Sequence, residues 1–105
     1  MHPMDMKKMM KQAQKMQRDA ALAQEEIAAM TFEASAGGGM VKATATGDMT
    51  VTDIVIDPAA VDPEDVEMLQ DMVVAAVNEA LRSASEAANS RMNAIMGGMK
   101  IPGLM

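Results

Sequence analysis

Apolar side chains recur along residues 4–30 with the spacing of a helix that packs lengthwise against another helix. One series repeats every seven residues from Met6, and a second series follows three residues after each member of the first. The resulting seam contains Met6, Met9, Ala13, Met16, Ala20 and Ile27. No Pro or Gly interrupts residues 4–30, so this heptad pattern predicts one helix of about 40 Å. A small domain cannot cover a seam of that length, and we expect part of it to meet a partner chain.

Shorter, alternating patterns follow and predict three strands. Residues 31–36 and 40–46 alternate apolar and polar side chains, and residues 50–57 are rich in β-branched ones. Val41, Ala43 and Ala45 fall on one face of the middle segment. Two short connections, one of them the triple glycine at 37–39, separate the three segments. They predict an antiparallel three-stranded meander that needs a helix packed on one face.

A second helix is predicted after the dipeptide Asp57-Pro58. Asp62 is the expected N-cap and Pro63 the first helical residue, followed by further carboxylates that suit a helix N-terminus. The apolar positions keep a 3.6-residue period, and they are Val66, Leu69, Val73, Val77, Ala80, Ala84, Ala88 and Ile95. The pattern stops at Gly97-Gly98. We therefore expect a single α+β domain over residues 1–96, of order α-β-β-β-α, and a Gly- and Pro-containing tail over 97–105.

The composition favours association of two chains. The 105 residues include 15 Met and one Phe but no Trp, Tyr or Cys. A core of small or flexible side chains in a chain this short stabilises a monomer only moderately, so a homodimer is expected. Disulfides and thiolate metal sites are excluded. Neither a signal-peptide h-region nor an apolar run of about 18 residues is present, which predicts a soluble intracellular protein without a membrane partner.

Charge is distributed unevenly along the chain. The formal net charge is -6, yet five of the nine Lys and Arg residues lie within residues 1–18 beside a single acidic one. These five are Lys7, Lys8, Lys11, Lys15 and Arg18. Lys7, Lys11, Lys15 and Arg18 are separated by four, four and three residues, so they lie on one stripe of the helix opposite the seam. Lys8 lies beside this stripe. No basic residue lies between Lys42 and Arg82, an interval that holds nine acidic ones.

No catalytic or metal site can be assembled from the residues. The only histidine is His2, near the terminus, and the acidic residues between 57 and 71 lack the spacing of a calcium loop. The triple glycine fits neither a dinucleotide fingerprint, which needs glycine where Lys42 stands, nor a P-loop. These observations predict a protein that is not an enzyme and has no cofactor, metal or small-molecule substrate.

The basic stripe has a simple interpretation as a solvated helix face, but its single sign and its contrast with the acidic remainder favour an anionic partner. In a dimer, about ten cations would be available to follow a phosphate backbone. Because the chain lacks Trp and Tyr for base stacking, duplex DNA is the expected nucleic acid. Two alternatives remain open: an adaptor that binds another protein through its Met-rich helices, and a basic amphipathic helix at a membrane surface.

Several segments, in this order, resemble one known family. They are "MKQAQKMQ" (10–17), "GGGMVKATATG" (37–47), "IDP" (56–58), "EMLQDMVVAAVNEAL" (67–81) and the terminal "PG" (102–103). Together they resemble the YbaB/EbfC family of bacterial nucleoid-associated DNA-binding proteins over nearly the whole chain. Gln70 stands where an acidic residue is common in that family.

The resemblance implies an α-β-β-β-α subunit that forms a tight homodimer with long helices projecting as arms. It also implies binding of duplex DNA with little sequence preference, an effect on nucleoid organisation or gene expression, and a cytoplasmic, nucleoid-associated location. It implies no enzymatic activity or cofactor. The DNA-contacting residues are not fixed by a family motif, so the five cations rest on the charge pattern alone.

Overall fold

The computed structural model describes residues 3–97 and confirms the α-β-β-β-α order. Its elements are α1 (Pro3–Ala29), β1 (Thr31–Ala36), β2 (Val41–Thr46), β3 (Val51–Ile56), a 3-10 turn (Pro58–Ala60) and α2 (Val66–Gly97). His2 and all of the predicted tail except Gly97 lie outside the described residues. Gly97 is the last residue of α2.

The three strands form an antiparallel sheet in the order β1-β2-β3. Gly37, Gly38 and Gly39 connect β1 to β2 with φ values of 62°, 67° and 93°. This backbone conformation favours glycine, so the interpretation of the triple glycine as a turn is confirmed. The pairing of β2 with β3 shifts register between Thr44 and Ala45, a bulge close to the second turn.

The core lies between β2 and α2 and is built from small side chains. Val41, Ala43 and Ala45 are 0% exposed, as predicted from their alternation, and so are three alanines of α2. Those three, Ala76, Ala80 and Ala84, are spaced four residues apart and form one line along the helix. Since neither surface carries bulky groups along this line, the helix can approach the sheet closely. α2 packs across β1 and β2 but barely touches β3.

α2 begins later than the sequence predicts. Its first residue is Val66, whereas Asp62 closes a separate turn by accepting a hydrogen bond from the Glu64 amide at 2.9 Å. Asp65 then caps the helix, with its side chain accepting from the Met68 amide at 3.3 Å. The prediction was wrong because the sequence holds several carboxylates in succession, each able to cap, and the chain uses two of them. Val66, expected on the buried stripe, is exposed.

α1 runs away from the sheet and gives the molecule its elongated form. Its C-terminal end packs against the sheet and α2 through Ala23 and Ile27, which are buried. An ion pair between Glu26 and Arg91 links α1 to the C-terminal half of α2. The chain measures 75 × 27 × 16 Å, so the N-terminal part of α1 projects from one end of the body.

Gly47 fixes the point where α1 meets the sheet. Its amide donates to the Met30 carbonyl at 3.1 Å, and a Cβ on Gly47 would overlap the Ile27 carbonyl group. Only glycine allows the backbone at position 47 to come this close to Ile27. Gly47, which directly follows β2, therefore determines where α1 packs and also forms part of the turn to β3.

Candidate nucleic-acid interface

The five predicted cations all lie on the projecting part of α1, and all five are exposed. From Lys7 to Arg18 the helix rises about 16 Å, a distance that spans about five phosphate steps of one DNA strand along the duplex axis. This segment, residues 5–18 of α1, is called the arm below.

The cations share one face of the arm. At about 100° per residue, all five fall within an arc of about 100°, centred opposite the Met6–Met9 side of the helix. Lys8, Lys11 and Lys15 line a shallow surface depression of about 370 Å³ together with Gln12. Lys8 was expected beside the stripe, but in the structure it belongs to the same surface as Lys11 and Lys15.

The arm's cations are not engaged by the protein's own carboxylates. Within residues 3–97, the ion pairs are Arg82 with Glu79 at 2.6 Å and Arg91 with Glu26. None involves the arm, although the chain carries an excess of acidic groups. The cationic face therefore presents its charge to solvent, where it attracts anions most strongly at low salt.

The predicted seam is covered at one end only. Ile27 is buried and Ala20 and Met16 are half-buried, because α2 and the sheet lie beside them. Towards the tip of the arm, Ala13 is exposed, and Met6 and Met9 are 57% and 60% exposed. The arm thus has an uncovered methionine face and, on its other side, the cationic face.

A second uncovered apolar surface lies on β3, and the sequence pattern did not identify it. Ile56 pairs with Val41 and Ile54 with Ala43, so both isoleucines are on the face of the sheet that α2 covers. α2 does not extend over them, and Ile54 and Ile56 are 39% and 37% exposed. The alternation in "TVTDIVID" would place them on a buried face, but it does not tell how far the helix reaches.

The turn between β2 and β3 contains an aspartate, Asp48, whose pKa is lowered by hydrogen bonds within the turn. The Thr46 hydroxyl donates to the Asp48 carboxylate, and this bond, with help from Thr50, holds the pKa of Asp48 below its ordinary value. Asp48 is exposed and its hydrogen-bond partners Thr46 and Thr50 belong to the same turn, so the lowered pKa is a local property of that turn. It gives no support to acid-base chemistry.

Residues 3–97 contain neither a metal-ligand cluster nor a membrane-spanning helix. Within the described part of the chain, no three His, Cys, Asp or Glu side chains are grouped closely enough to hold a metal ion. No described helix is long and apolar enough to cross a membrane.

The fold and this surface define a class of protein: a small α+β subunit that presents a cationic helix at one end of an acidic body. The fold resembles that of an uncharacterized protein from Helicobacter pylori, with a TM-score of 0.63 and 23% identity over 74% of this chain and 90% of that one. This likeness confirms the fold.

The family follows from the sequence comparisons. The model of the YbaB/EbfC DNA-binding family matches residues 1–99. A protein of Moorella thermoacetica is 58% identical over 94% of this chain and 95% of its own length. One of Pelotomaculum thermopropionicum is 54% identical over 95% of both chains. Both are named nucleoid-associated protein.

The chain belongs to the YbaB/EbfC DNA-binding family. The resemblance noted in the sequence is confirmed, and with it the expectation of a bacterial DNA-binding protein that is not an enzyme.

Proposed function

We propose that this protein binds duplex DNA as a homodimer through phosphate contacts of the arm, with little sequence preference. Through this activity it organises the nucleoid in the cytoplasm or affects gene expression. The observation that carries the proposal is the set of five exposed cations on one face of a projecting helix, none of them paired with a carboxylate of the described chain. Membership of a DNA-binding family and the names of the relatives support it.

Weak sequence preference follows from the kind of side chains on the arm. Four of the five cations are lysines, which act on phosphate as flexible point charges. Base recognition commonly uses a bidentate Arg, Asn or Gln placed in the major groove, and the arm holds only one arginine, Arg18. Phosphate contacts position a protein on DNA without reporting the base sequence.

The homodimer is supported by the uncovered face of β3. Ile54 and Ile56 continue the apolar surface of the sheet beyond the edge of α2. A second chain related by a two-fold axis would cover both patches at once, because such an interface uses the same surface twice. Two arms would then serve one DNA-binding unit.

The arm proposal is tested by salt dependence. Binding to a duplex of about 30 base pairs is measured between about 50 and about 300 mM salt for the natural chain and for a variant with Lys7, Lys8, Lys11, Lys15 and Arg18 all replaced by Gln. The logarithmic slope should fall by about 0.9 for each phosphate that the variant no longer neutralises. A decrease of about 4.5 would mean that one arm of the dimer contacts DNA, and about 9 that both do.

As a matched control, a lysine outside the arm is also replaced by Gln. Lys42 is exposed on β2, and Lys42→Gln should leave the slope nearly unchanged. An unchanged affinity and slope in a folded five-fold variant would refute the assignment of the arm.

A protein-binding adaptor is the second candidate function, and the uncovered methionines of the arm favour it. Met6, Met9 and Met10 are all more than half exposed, and methionine-rich surfaces adapt to varied partners. In that case a partner protein would be retained after nuclease treatment and lost on Met9→Gln and Met10→Gln substitution. Loss of the partner upon nuclease treatment would instead favour direct DNA binding.

A further inference from the structure

A methionine-lined groove lies at the end of the body opposite the arm. It has a volume of about 530 Å³, and Met40, Met68 and Met72 line it together with two alanines of the 3-10 turn. This volume lies within the ~300–1,000 Å³ typical of binding pockets. Met68 is 58% exposed, so the groove is open to solvent along one side.

The rim of the groove is acidic. Asp62 and Asp65 line it, and each uses a side-chain oxygen to accept a backbone amide at the start of α2. These bonds hold both carboxylates in place at the groove. No basic residue occurs in the chain between Lys42 and Arg82, so this part of the body carries uncompensated negative charge.

The arm has the complementary chemistry. Met6, Met9 and Met10 form its uncovered apolar face, and the helical period places Lys7 about 100° from the centre of that face. A helix lying in a groove directs side chains at such an angle to the rim. Lys8, Lys11 and Lys15 would remain directed outwards.

The arm of one molecule cannot enter its own groove. α1 joins the body at the end of the sheet where Gly47 donates to Met30. The groove is at the Gly37 end, about 20 Å away along β1. The arm extends in the other direction, as the 75 Å length requires.

We propose that the arm of one molecule docks in the acidic methionine groove of another, as an amphipathic helix in a groove. The methionine face fills the groove, Lys7 meets Asp62 and Asp65, and the remaining cations stay available for phosphate. Such a contact joins two different surfaces, so it does not close on itself and continues from molecule to molecule. The residues that line the groove do not include Ile54 or Ile56 of the proposed two-fold contact, and the docking does not depend on DNA binding.

The absence of cysteine from the sequence permits a direct test. Met9→Cys and Met68→Cys are made as separate single variants, mixed without DNA at low salt and oxidised mildly. A disulfide between the two variants, identified by peptide mapping, is expected and should decrease as salt is raised. The control pairs Met9→Cys with Met96→Cys, whose position is on the same helix as Met68 and is 61% exposed but far from the groove.

A chain carrying both Met9→Cys and Met68→Cys distinguishes an open assembly from an exchange of arms inside one dimer. Continuing contacts give a ladder of covalent species beyond the dimer on a denaturing gel, and this is the expected result. A ladder that stops at the dimer overturns the proposal. So does a mixed disulfide no more abundant than in the Met96→Cys control.

Discussion

Replacing Ile54 and Ile56 together by Thr should weaken the proposed homodimer while leaving the subunit folded. Thr retains the β-branched shape that suits a strand but removes apolar surface and adds a hydroxyl group. In the single chain the two isoleucines are 39% and 37% exposed. Complete burial of such a side chain is worth about 1.5–3 kcal/mol, so covering the exposed part of each contributes about 0.6–1.1 kcal/mol.

A two-fold dimer covers four such side chains, and their combined contribution is about 2.3–4.5 kcal/mol. The double variant should therefore raise the dimer dissociation constant by about 40-fold to about 1,500-fold. Sedimentation equilibrium over a range of protein concentrations measures this constant. Circular dichroism and urea unfolding of the same samples establish that the variant is folded.

Val55 provides the matched control. It lies between the two isoleucines, on the opposite face of β3, and is 55% exposed. Val55→Thr should leave the dissociation constant within about twofold, since it changes no surface that continues the core. If the folded double variant dimerises as tightly as the natural chain, or if Val55→Thr weakens the dimer equally, the assignment of this face is refuted.

Three further predictions concern the fold that positions the arm. Gly47→Ala should lower the free energy of unfolding by about 1–3 kcal/mol in urea titrations, because the new methyl group meets the Ile27 carbonyl. Ala80→Leu should cost a similar amount by the same assay, since the site is completely buried against β2. Thr46→Ala should raise the pKa of Asp48 towards its ordinary value, as followed by NMR titration. Because the folded-state pKa of Asp48 is lowered, any stability difference between Thr46→Ala and the natural chain should be present near neutral pH and disappear on acidification through that pKa.

The sequence predicted the fold best where the local pattern of apolar residues was enough to determine an element and its buried face. The period-2 alternation of Val41, Ala43 and Ala45 identified the buried face of β2 because only one face of that strand meets a helix. The long run without Pro or Gly identified α1, with its ends correct to one residue. Both patterns depend only on the backbone geometry of a single strand or helix, which neighbouring residues determine.

Features that depend on how two elements are placed were not predictable in this way. Ile54 lies on the same face of the sheet as its partner Ala43. Ala43 is buried and Ile54 is exposed, because α2 covers β2 but hardly reaches β3. The heptad seam likewise runs through Met6 to Ile27 without a change in pattern, although only its C-terminal end is covered by the same chain. Gly47 has the sequence context of an ordinary turn residue, and its close approach to Ile27 arises only when α1 is placed against the sheet.

The projecting geometry would let the arm make the proposed DNA contacts although the protein as a whole is acidic. Lys7 lies about 30 Å along α1 from Ile27, where the helix meets the body. Charges in solution are screened over about 8 Å at physiological ionic strength, so DNA held near the tip of the arm is several screening lengths from the carboxylates of the body. At about 0.01 M salt the screening length grows to about 30 Å, and repulsion from the body reaches the DNA. The length of the arm therefore keeps DNA bound to its cations away from the repulsion of the body's carboxylates. This separation is effective only at the ionic strength of a cell or above.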